Sequence, residues 1–164
     1  MMEALLALHA HLTCTASVLC CDWQLLAGQA MQESSGDPAA IGDDGKAYGL
    51  WQIHEATLEN CRRMEPEMDD WELEDLLDAE KNWRVYMTEM CRLRVWLLND
   101  YGDAPIWVLL ASWNWGCGNV KKLLDAHKDD WMGAYWDLPE RVKDYVRLCY
   151  FRSVAFRSDE CTDN

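Results

Sequence analysis

Apolar residues recur every three or four positions over most of this chain of 164 residues. Over residues 79–101 this spacing puts one apolar side chain per turn on a single stripe, which predicts a long helix with a buried face. The same periodicity predicts a helix that begins after Asp22, a buried central helix over 105–115, and helices over 120–127 and 139–157. The fold class that follows is mainly α.

Turn and capping residues mark the boundaries of these helices. Residues 34–48 are rich in Ser, Gly, Asp and Pro, so we expect a structured loop there and no helix. Gly36, Asp37 and Pro38 should end the helix that begins after Asp22. Asp103 stands where it could cap the central helix.

The length fits one compact domain with a core of its own. We divide the chain into an N-terminal helical segment over 1–21, a domain over 22–157 and a frayed tail over 158–164. The first basic residue is Lys46, so the apolar start lacks the positively charged region of a secretory signal. We therefore interpret the start as an amphipathic or core helix.

The composition argues against several classes of partner. The formal net charge of −14 would repel a phosphate backbone, so nucleic-acid binding is not expected. No window is long and apolar enough to predict a transmembrane segment. The eight cysteines form no CxxC pair, which disfavours a structural zinc site, and we favour free thiols over disulfides. We expect a monomer without metal or cofactor.

Glu33 is the strongest candidate for chemistry. It follows Trp23, Leu26 and Ala30 at spacings of three, four and three residues, so its carboxyl lies on the apolar stripe of a helix. It also falls in the last turn, where the negative end of the helix dipole opposes ionisation. Burial acts in the same direction, and a carboxyl with a raised pKa suits a general acid. A Glu that turns aside to cap an amide or reach solvent is the alternative.

Four motifs in order carry a family resemblance. They are ESSGDPAAIGDDGKAYGLWQI (33–53), DAEKNW (78–83), ASWNWGCGNV (111–120) and LPERVKDYV (138–146). Together they resemble the motifs of soluble lytic transglycosylases and goose-type lysozymes. The resemblance implies a lysozyme-like single domain, with the structured loop next to the catalytic helix.

This resemblance implies an enzyme that cleaves the β-1,4 bond between N-acetylmuramic acid and N-acetylglucosamine in peptidoglycan. Glu33 matches the family's catalytic Glu, which protonates the glycosidic oxygen. In the transglycosylases the same carboxylate then acts as a base toward the muramoyl 6-hydroxyl and gives a 1,6-anhydro product. A lytic transglycosylase is therefore the expected activity.

Five further residues are implied as substrate-binding. Gln52 and Asn114 match the family's Gln and Asn, and Tyr145 matches the Tyr of its closing motif. Trp113 stands where the family usually has Tyr, which keeps a stacking surface but removes a hydroxyl. His54 is a candidate hydrogen-bonding group at the rim.

An extended strand over residues 50–54 would put Leu50, Gln52 and His54 on one face. Trp51 and Trp115 could each belong to the core or to the cleft wall.

Asp43 decides between two reactions. The segment GDDGKAYGLWQ also resembles the goose-type lysozymes, in which an Asp helps to position water. An inverting muramidase needs a second carboxylate about 6.5–9.5 Å from the first, and Asp43 or Asp44 could supply it. Either residue could instead only build a turn with Gly45.

A third alternative belongs to another class of protein. A catalytically weak chain could serve as a virion or cell-wall component and hold glycan with its Trp-rich cleft. The resemblance implies action at the bacterial cell wall or periplasm. Because the secretory signal is missing, we expect delivery by a phage particle, a lysis system or a specialised secretion machine.

Overall fold

The computed structural model describes residues 2–128 and 130–157 of the chain. This part contains nine α-helices, a small three-stranded sheet and three short 3-10 helices. The mainly α fold class predicted from the sequence is confirmed. The tail over 158–164, predicted to be frayed, lies outside the described residues.

The helices and strands follow one another along the chain with short connections. The α-helices are α1 (Met2–Ala7), α2 (His9–Leu19), α3 (Trp23–Ser34), α4 (Glu55–Arg62), α5 (Ala79–Tyr101), α6 (Ile106–Trp115), α7 (Cys117–His127), α8 (Trp131–Trp136) and α9 (Glu140–Ser153). The strands are β1 (Ile41–Gly42), β2 (Ala47–Tyr48) and β3 (Ile53–His54), and the 3-10 helices are Pro66–Met68, Leu73–Leu77 and Val154–Phe156.

One hydrophobic core joins both ends of the chain. Leu5, Leu12 and Leu19 of α1 and α2 are fully buried in it, so the N-terminal segment packs into the core. The segment forms two helices that meet at Leu8. Within the described residues, no helix has the length and apolarity that a membrane span requires.

Helix α5 carries the apolar stripe that its spacing predicted. Tyr86, Met90 and Leu97 are fully buried along its length. Asp78 caps its N-terminus by accepting hydrogen bonds from the backbone amides of Glu80 (3.0 Å) and Lys81 (2.9 Å). The helix therefore forms one wall of the core and fixes the loop that precedes it.

The close crossing of α3 and α9 positions the site. Gly28 of α3 lies against the backbone of α9: a Cβ atom there would be 2.4 Å from the carbonyl oxygen of Cys149 and 2.7 Å from the amide nitrogen of Ser153. Only a residue without a side chain permits this approach. Because of it, Glu33 near the end of α3 meets Tyr145 of α9.

The structured loop is a small antiparallel sheet. β1 pairs with β2 through Ile41 and Tyr48, and β2 pairs with β3 through Tyr48 and Ile53. The loop packs on α5 through Asn82, which is fully buried. Its side-chain amide donates to the carbonyl oxygens of Tyr48 (2.8 Å) and Leu76 (2.9 Å), and its oxygen accepts from the amide of Trp51 (3.0 Å).

The predicted extended strand over residues 50–54 is wrong. Only Ile53–His54 are paired, and Gln52 lies in a turn with a φ of 47°. Leu50, Trp51 and Ile53 are all buried, so alternate residues do not share a face. The amide of Trp51 binds the side chain of Asn82 where a strand would bind another strand.

The prediction that Asp103 caps the central helix is also wrong. Helix α6 begins at Ile106, directly after Pro105, and no side chain caps it. The Asp103 carboxylate instead accepts a hydrogen bond of 2.7 Å from Arg94 of α5. Asp103 pairs with Arg94 because a buried guanidinium without an acidic partner costs more free energy than a helix end without a cap.

We expect Gly28→Ala to destabilise the protein by about 1–3 kcal/mol, because the new methyl group forces the backbones of α3 and α9 apart. Urea denaturation measures this loss. Gly118→Ala is the matched control, since a Cβ atom at Gly118 in α7 meets nothing within 4 Å. The control should be unchanged or more stable by up to about 1 kcal/mol. Equal stability of the two variants would contradict the tight crossing.

Candidate active site

Glu33 lies in the last turn of α3, as the sequence predicted. The helix ends at Ser34 because Ser35 and Gly36 take the left-handed conformation, with φ values of 58° and 76°. The Glu33 carboxyl is only partly accessible to solvent. A titratable group therefore sits at the edge of the core, where solvent reaches it from one side.

Two neutral donors hold one oxygen of this carboxyl. The Tyr145 hydroxyl donates to Glu33 Oε1 at 2.5 Å, and the indole N–H of Trp113 donates to the same atom at 3.0 Å. Within the described residues, Oε2 accepts no hydrogen bond, so it is the carboxyl oxygen without a protein donor. The indole N–H thus supplies a hydrogen-bond donor at the position where the family usually has a Tyr hydroxyl.

The surroundings of Glu33 raise its pKa. Burial is the largest cause, because it disfavours the charged carboxylate, and the hydrogen bonds from Tyr145 and Trp113 act in the opposite direction. The net direction is upward, as burial on the apolar stripe predicted. The carboxyl is therefore suited to donate a proton nearer neutral pH than an exposed Glu would.

A cavity of about 220 Å³ opens beside Trp113. Three of the predicted site residues line it, namely Gln52, His54 and Trp113. The other lining residues are Thr57, Asn60, Glu89, Arg92, Leu93, Ser112, Gly116 and Cys117. The cavity is mostly polar at its surface, so it fits a ligand that forms hydrogen bonds.

Sequence reasoning missed the ion pair in this cavity. Arg92 donates twice to Glu89, from Nε to Oε2 at 2.8 Å and from Nη2 to Oε1 at 2.6 Å. Glu89 is buried and lies one turn before Arg92 on α5. The three-residue spacing of opposite charges was the available signal. Because the pair is bidentate, it adds donors and acceptors to the cavity with little net charge.

Gln52 and His54 lie at the hairpin side of the cavity. The Gln52 amide nitrogen donates to the carbonyl oxygens of Ala40 (3.2 Å) and Gly49 (2.9 Å), which fixes the loop, and its oxygen packs against Gly42, where a Cβ atom would lie 2.2 Å from it. His54 is about half exposed, in agreement with a rim position.

Asn114, Trp51 and Trp115 differ in how deeply they are buried and in what they contact. The Oδ1 atom of Asn114 is buried and has no hydrogen-bond partner among the described residues. Trp51 is fully buried and stacks on Tyr86 with ring centroids 4.4 Å apart, so it belongs to the core. Trp115 is partly buried and packs against the core.

Asp43 lies in the turn that joins β1 to β2. Its φ of 48° and that of 53° at Asp44 are left-handed, and the amides of Gly45 and Lys46 both donate to the carbonyl of Gly42. The Asp43 side chain is 63% exposed and its Oδ2 lies 3.9 Å from His54 Nδ1. Asp43 therefore builds the turn and lies near His54, which lines the cavity.

Two buried residues extend the contacts of Tyr145 into the core. The amide of Gln29 donates to the Tyr145 hydroxyl at 3.0 Å, and the Tyr86 hydroxyl donates to the amide oxygen of Gln29 at 2.7 Å. The sequence placed Tyr86 only on an apolar stripe and did not single out Gln29. A polar residue on the buried face of α3 was the available signal.

Over residues 2–128 and 130–157, no group of three or more His, Cys, Asp or Glu side chains could hold a metal ion. The seven cysteines of these residues are free thiols, and Cys161 lies outside them. The candidate site thus consists of Glu33, its donors Tyr145 and Trp113, and the polar cavity that Trp113 lines.

Comparisons with known proteins bear on the fold and on the family. Among solved structures, an inactive mutant of the lytic transglycosylase Slt from Pseudomonas aeruginosa matches with a TM-score of 0.71 and 18% sequence identity. The match covers 92% of this chain and 24% of that chain, so this chain corresponds to about a quarter of that enzyme's length. It shows that the fold is lysozyme-like, as expected.

A search of curated proteins found no match. Among protein families, the transglycosylase SLT domain matches residues 18–131, which is most of the chain. The chain belongs to the transglycosylase SLT domain family.

Proposed function

We propose that this chain is a lytic transglycosylase that cleaves the β-1,4 bond between N-acetylmuramic acid and N-acetylglucosamine in peptidoglycan. The observation that carries the proposal is the state of Glu33. Its Oε1 accepts two hydrogen bonds, its Oε2 accepts none from the described residues, and burial raises its pKa. Family membership supports the same assignment.

Glu33 serves in both steps of the reaction. Protonated Oε2 gives its proton to the glycosidic oxygen, the bond from that oxygen to C1 of the muramoyl residue breaks, and the sugar becomes oxocarbenium-like. The resulting carboxylate takes the proton of the muramoyl 6-hydroxyl, whose oxygen bonds to C1. The product is a 1,6-anhydro end, and Glu33 is protonated again.

The polar cavity beside Trp113 is the proposed site for part of the glycan. Gln52 lines this cavity and would bind an N-acetyl or hydroxyl group there, and Asn114, the neighbour of Trp113 in the chain, stays a predicted binding residue. Trp113 and His54 would contact the sugar at the wall and at the rim. Tyr145 acts on Glu33 through its hydroxyl.

Delivery by a phage particle or a secretion machine and a monomeric state stay predictions of the sequence.

We expect Glu33→Gln to lower the release of soluble fragments from purified peptidoglycan by roughly 10²–10⁴-fold, because the variant has no proton to give. Sedimentation with the insoluble wall should still show binding. Glu59→Gln is the matched control, since Glu59 is an exposed carboxylate paired with Arg63, and it should leave the rate unchanged. Release at the original rate by Glu33→Gln would reject the assignment of Glu33.

The products distinguish the three candidate activities. We expect mass spectrometry to find fragments lighter by one water than hydrolysis products, because the muramoyl 6-hydroxyl takes the place of water. Reducing muramic acid ends would instead support the inverting muramidase, and Asp43→Asn would then be the next variant. No fragments from the wild-type protein would support the glycan-binding component.

The raised pKa also has a consequence for stability. A carboxyl whose folded pKa lies above its unfolded pKa contributes most stability at low pH, and this contribution is lost as pH rises from the unfolded toward the folded value. Above that window Glu33 is therefore destabilising relative to a neutral amide. We expect Glu33→Gln to raise the melting temperature at pH 7 but not at pH 3.5, as measured by calorimetry. An equal change at both pH values would contradict a buried carboxyl.

A further inference from the structure

A chain of hydrogen bonds runs from the core to Glu33. The Tyr86 hydroxyl donates to Gln29 Oε1 at 2.7 Å, Gln29 Nε2 donates to Tyr145 Oη at 3.0 Å, and Tyr145 Oη donates to Glu33 Oε1 at 2.5 Å. Its members come from three helices, α5, α3 and α9. Gln29 and Tyr86 are fully buried and Tyr145 is 6% exposed, so water does not compete along its length.

The orientation of the Gln29 amide gives each link of this chain its direction. The Tyr86 hydroxyl has one proton, and that proton goes to the amide oxygen of Gln29. The opposite end of the amide, its NH₂ group, must then face Tyr145 and occupy a lone pair of the Tyr145 oxygen. The single proton of Tyr145 is left to point at Glu33.

We propose that Gln29 and Tyr86 are positioning residues for the proposed reaction: they fix the amide of Gln29 so that Tyr145 donates to Glu33 and never accepts from it. With the amide reversed, its oxygen would compete with Glu33 for the proton of Tyr145. Glu33 Oε1 would lose its shorter hydrogen bond. The chain thus selects a carboxyl whose Oε1 is always an acceptor, which leaves the exchangeable proton on Oε2.

The packing around the chain keeps it in place. Trp51 stacks on the Tyr86 ring with centroids 4.4 Å apart, and Trp113 meets the same ring edge-on at 5.1 Å. The same Trp113 is the second donor to Glu33. Tyr86 therefore packs against two indoles, and one of them also donates to the Glu33 carboxyl.

No charged group among those that face Glu33 acts on its pKa in place of the hydrogen-bond chain. The titratable groups that face Glu33 are Tyr145 and Cys149 on α9 and Tyr86 on α5. Burial raises the pKa of Cys149 to about 12 and the pKa values of both phenols well above their usual range, so all three are neutral near pH 7. The guanidinium of Arg152 on α9 is turned to Gln32, which accepts its hydrogen bond at 2.9 Å.

The test measures the pKa of Glu33 directly, by carbon NMR of protein with labelled Glu carboxyl groups, using Glu33→Gln to assign the resonance. We expect Tyr86→Phe to raise this pKa by about 0.5–1 pH unit, because the carboxylate loses a donor. In the Tyr145→Phe background the same substitution should have no further effect. Gln29→Met is a second variant: it removes the donor to the Tyr145 oxygen, so Tyr145 can accept from protonated Glu33, and the pKa of Glu33 should again rise.

Tyr101→Phe is the matched control. It also removes a phenol hydroxyl, one that donates to Asp125 at 2.7 Å, but it lies fifteen residues from Tyr86 on α5, about 22 Å along the helix axis. The control should leave the pKa of Glu33 unchanged. An unchanged pKa in both Tyr86→Phe and Gln29→Met, or an equal shift with and without the Tyr145 hydroxyl, would overturn the proposal.

Kinetics give a second readout. Since Tyr86 touches no substrate, Tyr86→Phe should lower kcat by about 3–10-fold with KM unchanged, and the alkaline limb of the pH profile should move to higher pH with the Glu33 pKa. A change confined to KM would contradict a positioning role. This inference depends on the proposed function, but the NMR titration does not require cleavage. A wild-type protein that releases no fragments would therefore reject the proposed function while the pKa still tests the hydrogen-bond chain.

Discussion

The close crossing of α3 and α9 determines the surroundings of the reactive carboxyl. At Gly28 the two backbones are so near that a Cβ atom would lie 2.4 Å from the Cys149 carbonyl oxygen. The next turn of α3 carries Glu33, and the preceding turn of α9 carries Tyr145, so the crossing brings their oxygens to 2.5 Å. A glycine in the core thus sets a hydrogen bond at the edge of the core, and the sheet and the long helix α5 only complete the enclosure.

Two opposing effects act on Glu33, and both suit the proposed reaction, in which one carboxyl gives and then takes a proton. Burial favours the protonated carboxyl, while the hydrogen bonds from Tyr145 and Trp113 favour the carboxylate. Both donors bind Oε1, so neither has to move when Oε2 loses its proton. Such donors cost little reorganisation during the reaction because the fold has already oriented them.

The spacing of apolar and turn residues along the sequence predicted the features that depend on near neighbours in the chain. The helices around Glu33, its place in a last turn and its burial followed from the three- and four-residue periodicity and from the turn residues after it. The turn at Gln52 did not, because its shape depends on the side chain of Asn82, thirty positions further along the chain. Asp103 also failed as a predicted cap, since a buried Arg94 on another helix binds it.

The candidate site shows the same division. The family motifs marked Glu33, Trp113 and Tyr145, but they did not indicate that both aromatic residues donate to the carboxyl. Gln29 is a polar residue on a buried stripe and Tyr86 is an aromatic residue on another, so each alone fits a structural role. Only the packing of three helices joins them into one chain of hydrogen bonds. Tertiary contacts between distant residues are the part that a single sequence does not contain.

The acidity of the chain and the acidity of Glu33 have separate physical origins. The net charge of −14 acts over long distances through water and is screened by salt, so it bears on the approach to an anionic wall. The pKa of Glu33 comes from burial and from two neutral donors, and no charged side chain is among its causes. Salt should therefore change how fast substrate is captured, while the pH at which Glu33 loses its proton stays nearly constant. Because burial and neutral donors set the pKa of Glu33, the charge of the protein surface can differ without changing that pKa much.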